Sequence, residues 1–504
     1  MSASRDKRKR QLAKAQGILS PKKDEKRGMG PAGRIAVTAI SVVVVLGLIC
    51  LILFGAGVPQ KLIPAATIEG ESVTTAELEY YYDNAVTTFL SYYGSYIETD
   101  KPLSQQAFSG DQTLADYILG TALSNAKAAI HWKNLALAEN VTLTDEDNFT
   151  LEQNIKEAQK AADGQSISLN KLLRNYYGRG MDEKIFRKLM ERELLAGRYQ
   201  TIHRDEFTYT ESDIAKRYDE NKNDYDLVDY RKFSFSTTLT AEQQGSYTST
   251  ELAATSTTIV NGTETTLTMG ENIIFKLAKA FSETPGLTEE TFNKLASETL
   301  PEASRTSFDE DPDYTLEKNV TFNDTSDLDD WAFDADRKLG DIGVLKGSSS
   351  FDVVLFVERR QNTANTVNLY AAPFSDEAAA KKAFEKLDAP DLDAFIKFAK
   401  ENSSSIAARW SGGEVKEYAP APNPAKDSAD EWLAAVSRKA GDITQIGANV
   451  MYYVSAGRPA WQVAAESDLR QASFSSFSSE KYSSEDSNAT VSYTALSWLL
   501  IDKK

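Results

Sequence analysis

A block of fourteen residues occurs twice in this chain, 101 positions apart. Asp329-Asp330-Trp331-Ala332-Phe333-Asp334-Ala335-Asp336-Arg337-Lys338-Leu339-Gly340-Asp341-Ile342 aligns with Asp430-Glu431-Trp432-Leu433-Ala434-Ala435-Val436-Ser437-Arg438-Lys439-Ala440-Gly441-Asp442-Ile443, sharing Asp, Trp, Arg, Lys, Gly, Asp and Ile. Such a repeat is expected where one small domain occurs in tandem. Each block reads as a short helical stretch that ends at Gly, a residue suited to the left-handed turn that stops a helix. An apolar, β-rich run follows each, at 351–357 and 449–454. Upstream, 230–236 alternates almost strictly and 367–372 is strand-like. Each copy is therefore expected to run strand, helices, helix-Gly, strand.

The N-terminal portion has a different character. Residues 35–54 form an unbroken, uncharged apolar run, about the 20 residues needed to cross a bilayer as a helix. Before it, 1–34 holds eleven Lys or Arg against three acids, a net charge of +8 that leaves −26 for the rest of a chain totalling −18. The positive-inside rule then predicts a transmembrane helix at 35–56, a cytoplasmic basic tail and an extracytoplasmic remainder. The flank Gly55-Ala56-Gly57-Val58-Pro59 gives no clear small-x-small cleavage site, and signal-peptide apolar stretches are shorter, about 7–15 residues, so the run is read as an uncleaved anchor. The acidity of the outer part argues against a nucleic-acid partner. The single cysteine, Cys50, lies inside the run, so no intrachain disulfide is possible.

Between 67 and 228 the periodicity is helical. Thr74 and Glu77 carry the signature of a helix start, as do Thr144-Asp145-Glu146-Asp147 and Tyr209-Thr210-Glu211. Helices are expected over 112–140, 149–162, 168–177, 182–203 and 211–225. This all-α unit is rich in aromatics, among them Tyr80, Tyr81, Tyr82, Phe89, Tyr92, Tyr93, Tyr96, Tyr176, Tyr177, Phe186 and Tyr199. Such rings either pack a core or line a cradle for other chains.

Ile68-Glu69-Gly70-Glu71-Ser72-Val73-Thr74, the segment from Tyr176 to Arg187 and that from Thr210 to Asn221 resemble the helical chaperone domain of extracytoplasmic foldases of the SurA and PrsA type. The repeated blocks, with the stretch from Phe395 to Ser403 and Gly412-Gly413-Glu414-Val415, are similar to parvulin-type prolyl isomerase domains. The stretch from Pro459 to Tyr482 looks like the C-terminal helix that, in such foldases, returns to the helical domain. The resemblance implies an α+β multidomain architecture: an anchor, a helical chaperone domain at 67–228, parvulin-like domains at 229–361 and 365–457, and a C-terminal helix and tail at 458–504. Residues 237–268, rich in Ser and Thr, would be an insertion in the first parvulin-like domain, either a loop or an extra hairpin.

Rotation about an X-Pro bond meets a barrier of roughly 20 kcal/mol, which parvulins are understood to lower with histidines on the first and last strands. Here the only histidines are His131 and His203, both in the helical region. The family's first-strand position reads Phe233 or Ser234 in copy one and Tyr370 or Ala371 in copy two; the last-strand position reads Asp352 and Val450. Both copies are thus expected to be catalytically degenerate, with no catalytic residue. Trp331 and Trp432 hold the place of the family's pocket aromatic and are read either as client-gripping rings or as core. Trp410, Tyr418 and Tyr453 complete the candidate binding residues. No Cys/His cluster could hold zinc, and no metal or cofactor is expected. The resemblance implies a foldase whose partners are unfolded or newly exported polypeptides. The alternatives are an active prolyl isomerase with a nonstandard pocket and an adaptor at the export or cell-wall machinery.

Overall fold

The computed structural model describes residues 53, 55–94, 97, 98, 100–245, 247–387, 391–483 and 489–492. The chain is a mixed α+β multidomain protein, and it divides into two compact units. One is drawn from Met1–Ala126, Ala161–Phe186 and Ala489–Lys504, the other from Lys127–Lys160 and Arg187–Asn488. The apolar run expected to form an anchor lies, but for Leu53, Gly55 and Ala56, outside the described residues. Among the described residues no helix is long and apolar enough to cross a membrane.

In the first unit, helix α1 (Val58–Leu62) leads into strands β1 (Pro64–Ile68) and β2 (Glu71–Thr74), and β2 into helix α2 (Thr75–Tyr93). The expected helix start is a reciprocal cap: the Thr74 amide donates to Glu77 Oε2 at 2.8 Å and the Glu77 amide to Thr74 Oγ1 at 3.3 Å. A short hairpin, β3 (Ala107–Ser109) and β4 (Gln112–Thr113), precedes helix α3 (Leu114–Ala138). A strand absent from the sequence reading, Ala489–Val491, pairs with β1 to complete a three-stranded sheet.

The remaining helices begin within a few residues of the starts expected for them. Helix α4 (Asp145–Gly164) starts after Thr144 and α5 (Leu169–Tyr177) after Ser168. Helix α6 (Glu183–Asp205) starts after Asp182, whose carboxylate accepts from the Ile185 amide at 3.0 Å, and α7 (Glu211–Glu220) after Thr210. Helix α7 is shorter than expected, because Lys222–Asp224 tightens into a 3₁₀ turn before the next strand.

In the second unit, β5 (Asp226–Ser236) opens a four-stranded antiparallel sheet. The insertion holds a hairpin, β6 (Thr255–Val260) and β7 (Thr263–Thr268), turning at Asn261-Gly262 with both φ values positive, as a two-residue type I′ turn requires. Helices α8 (Met269–Ser282) and α9 (Glu289–Glu298) follow, then β8 (Leu316–Val320), helix α10 (Asp327–Ala332), β9 (Ile342–Lys346) and β10 (Ser350–Gln361). A second sheet then comprises β11 (Asn365–Pro373), helices α11 (Glu377–Phe384), α12 (Leu392–Asn402) and α13 (Ile406–Ser411), β12 (Glu414–Tyr418), helix α14 (Ala429–Ala434), β13 (Ile443–Ile446) and β14 (Asn449–Pro459). The strand orders are β8-β5-β10-β9 and β12-β11-β14-β13, the same topology twice.

Both sheets are buried on two faces. One face of the first packs Phe233, Phe351, Val353 and Leu355 against α8 and α9, and the other packs Tyr230, Val354 and Phe356 against α10. The second repeats the plan, with Ala372 and Val450 against α11 and α12, and Leu369, Met451 and Tyr453 against α14. Helix α15 (Ala460–Lys481) carries Phe477 onto Trp132, Leu195 and Tyr199, and Trp461 and Ala465 onto Ile214 and Tyr225.

Candidate functional site

The repeated block is a single device built twice. In copy one the Arg337 guanidinium lies 4.2 Å from the centre of the Trp331 ring, and its Nε donates to the Trp331 carbonyl at 3.0 Å. In copy two Arg438 does the same over Trp432, at 3.9 Å and 3.1 Å. The acid after Gly then closes the turn: Asp341 and Asp442 each accept from the amide of the shared Lys at 2.9 Å. The Gly amides donate to Phe356 and Tyr453 carbonyls at 2.9 and 3.0 Å, which ties each turn to its last strand. The shared residue types therefore describe a Trp, a cation stacked on it, and a cap that orders the return to the sheet.

This corrects the expectation that each helix runs to Gly. The helices stop at Ala332 and Ala434, and the segment beyond leaves helical geometry because the Arg side chain takes a carbonyl at the helix end. Gly340 and Gly441, at φ 84° and 94°, are corners of the following turn.

The two tryptophans differ. Trp331 is 6 % exposed, and a Cβ on Gly343 would stand 2.7 Å from its indole, so the ring seats directly on a side-chain-free stretch of β9. The sheet register places Thr444 at the matching position, and Trp432 is only partly buried. Tyr453 is a core residue at 8 % exposure beside Leu433 and Met451, and Trp432 packs against the same cluster. Tyr418, at the sheet edge, donates to Asp430 Oδ1 at 2.7 Å, and that carboxylate holds its phenol above the ordinary value. Asp329, the copy-one counterpart of Asp430, is buried, and desolvation pushes its carboxyl up. Trp410 lies apart, its ring 5.4 Å from Phe149. The five candidate residues thus split: Trp432, Tyr453 and Tyr418 share one face of the second sheet, while Trp331 and Trp410 stand elsewhere.

The strand register revises which residues correspond. Phe233 and Ser234 match Ala372 and Pro373, two places beyond the Tyr370 and Ala371 read from sequence, and Asp352 matches Asn449 instead of Val450. None of these is an imidazole. His131 Nε2 donates to the Lys481 carbonyl at 2.8 Å, and His203 stacks on Phe477 with ring centres 4.9 Å apart. Both histidines serve the packing of α15. Among the described residues no cluster of His, Cys, Asp or Glu is arranged to hold a metal.

A second candidate site lies in the first unit. The N-terminal half of α2 is buried, with Tyr80, Tyr81 and Tyr82 at 3–5 % exposure and burial raising the Tyr82 phenol to about 12. Its C-terminal end is open: Tyr92 is 76 % exposed and Tyr93 52 %. Phe89 brings these rings together with others, its centre 5.1 Å from Tyr93, 6.3 Å from Phe108 on β3 and 5.9 Å from Tyr117 on α3. Phe108 and Tyr117 stack at 4.0 Å, and Leu90, next to Phe89 in the helix, is exposed. An aromatic face of this kind presents large, stiff apolar area at small rotamer cost. Phe108 escaped the sequence reading because a three-residue strand gives no period to detect.

No family model matches the chain, and no curated protein does. Among solved structures, the crystal structure of PrsA from Bacillus subtilis matches at 14 % identity over 59 % of this chain and 78 % of that one, with a TM-score of 0.13.

Proposed function

We propose that this chain is a membrane-anchored, extracytoplasmic chaperone that holds unfolded or newly exported polypeptides. The observation that carries the reading is the exposed ring cluster of Phe89, Tyr92, Tyr93, Phe108 and Tyr117, since solvated apolar surface of this kind marks a binding site. Two repeated sheets without an imidazole support holding over catalysis, and the basic tail before an apolar run supports an anchored, outward-facing chain. A holdase needs no proton transfer. It covers apolar segments reversibly and lowers the concentration of aggregation-prone species. In the second unit the half-buried Trp432 with Tyr418 offers clients a surface of its own, whereas Trp331 and Tyr453 act as core.

The test is suppression of aggregation of a chemically denatured client by the full chain. Replacing Tyr92, Tyr93 and Phe108 together by Ser is expected to weaken client binding by about tenfold, the effect of losing about 1.4 kcal/mol. Equal protection by the parent and the triple variant would overturn the reading. In a proline-peptide assay the chain is expected to leave cis–trans exchange at its uncatalysed rate.

A further inference from the structure

The strand pairing of the first unit says where the end of the chain goes. The C-terminal strand and β2 are both antiparallel to β1, so they run in the same direction and leave the sheet at the same end. There β2 becomes α2, whose Thr75 amide donates to the Ile63 carbonyl, while the last described residue, Ser492, donates its amide to the Ala65 carbonyl at 2.8 Å. Ser492 therefore stands at the end of the sheet where α2 begins.

Those residues are Tyr493-Thr494-Ala495-Leu496-Ser497-Trp498-Leu499-Leu500-Ile501, followed by Asp502-Lys503-Lys504, and they lie outside the described residues. Their composition matches what an aromatic face takes: one Trp, one Tyr, three Leu and one Ile in nine positions. The reach matches as well. An extended chain places residues 498–501 roughly 20 to 30 Å beyond Ser492, and α2 carries residues 89–93 roughly 21 to 27 Å from Thr75.

We propose that the C-terminal segment 493–501 is the resident occupant of the aromatic face formed by Phe89, Tyr92, Tyr93, Phe108 and Tyr117, and that it acts as a tethered competitor of clients. The inference rests on the reading of that face as the client site. A tether this short holds its ligand at millimolar effective concentration, so a weak contact suffices to fill the site. A client then meets the face only in the fraction of molecules where the segment is away. If that fraction is about one tenth, apparent affinity falls about tenfold.

The test compares the full chain with one ending at Ser492, both carrying a photo-activated crosslinking amino acid at Tyr92. The full chain is expected to crosslink Tyr92 to peptides from 493–501 of its own molecule. The shortened chain, and the full chain carrying Leu499→Asp and Leu500→Asp, are expected to bind a denatured client about tenfold more tightly. Crosslinks only between differently labelled molecules would assign the face to a second copy and overturn the proposal. Crosslinks to added lipid vesicles in place of the segment would assign the segment or face to a membrane, and would overturn it equally. Unchanged client affinity on shortening also overturns it. The two readings fail separately: client binding by the shortened chain that survives Ser at Tyr92, Tyr93 and Phe108 sinks the client site itself, whereas equal affinity of full and shortened chains, with the Ser variant weak in both, sinks only the tethered competitor.

Discussion

The two four-stranded sheets have one topology and one repeated block, yet they treat the same tryptophan differently. In the first, Gly343 leaves β9 bare and Trp331 lies flat on it, 6 % exposed. In the second, Thr444 stands at that register and Trp432 is only partly buried, while Tyr418 pairs with Asp430. The stacked arginine and the turn behind it survive unchanged. The arginine–tryptophan device thus fixes the loop in both copies, and the ring is more deeply buried in the copy whose strand carries a glycine at this register. One glycine separates a buried tryptophan from a partly buried one.

The largest expected effect follows from that difference. Trp331→Ala should destabilise the first sheet by about 3–5 kcal/mol, the range for removing a buried aromatic, while Trp432→Ala should cost the second sheet less than about half of that. Hydrogen exchange of β9–β10 and of β13–β14 amides reads the two sheets separately within the full chain. Equal losses would show that partial exposure of Trp432 does not reflect its share of the packing. Gly343→Ala comes next, at about 1–3 kcal/mol, because the new methyl meets indole atoms at 2.7–2.9 Å. Thr444→Gly, by contrast, should cost about 1 kcal/mol or less through backbone freedom, and should lower the solvent exposure of Trp432, visible as a blue shift in its emission.

How much of this was legible beforehand depends on the range of the interaction. The helix starts at Thr74, Thr144, Ser168 and Thr210 were readable, because a cap is a contract between residues three apart. The repeat was readable because Arg337 and Arg438 must each reach a carbonyl six residues back, which fixes residue types and spacing together. Long-range pairings were not. The strand Ala489–Val491 finds its partner more than four hundred positions away in the chain, and three residues carry no pattern of their own. The correspondence of the first strands slipped by two for a related reason: a shift of two keeps every side chain on its own face, so alternation alone cannot detect it. The seat of Trp331 was hidden too, because Gly343 declares its purpose only when the ring is placed upon it.

A smaller effect concerns the acid that precedes each tryptophan by two. Burial raises the Asp329 carboxyl above its ordinary value of 3.8. The folded state then holds the proton more tightly than the unfolded one, so this contribution to stability is complete below about pH 4 and is lost as pH rises through the folded value. Asp329→Asn keeps an acceptor oxygen and removes the charge, so it should flatten that decline and leave the first sheet at least as stable at pH 7. Asp430→Asn should show no such gain, since its carboxylate accepts from Tyr418 at a partly exposed site and loses a charge-assisted bond. Thermal unfolding from pH 4 to 8 would separate the two. A matching response from both variants would break the comparison.

The smallest expected effect tests the shared part of the device. Arg337→Lys and Arg438→Lys retain the positive charge but lose the planar stack and the directed Nε bond to the Trp carbonyl. Each should cost about 0.5–1 kcal/mol, the worth of a cation over a ring at a partly exposed site. Because the guanidinium sits at 4.2 Å over Trp331 and 3.9 Å over Trp432, the two losses should be nearly equal, in contrast to the unequal tryptophan losses. Amide exchange at Gly340 and Gly441, whose N–H groups bond to Phe356 and Tyr453, is the sensitive reporter, since loosening the arginine frees the turn before it disturbs the sheet. If only the first copy responds, the arginine holds the loop through the buried ring, and the second copy keeps the residue for its exposed face alone.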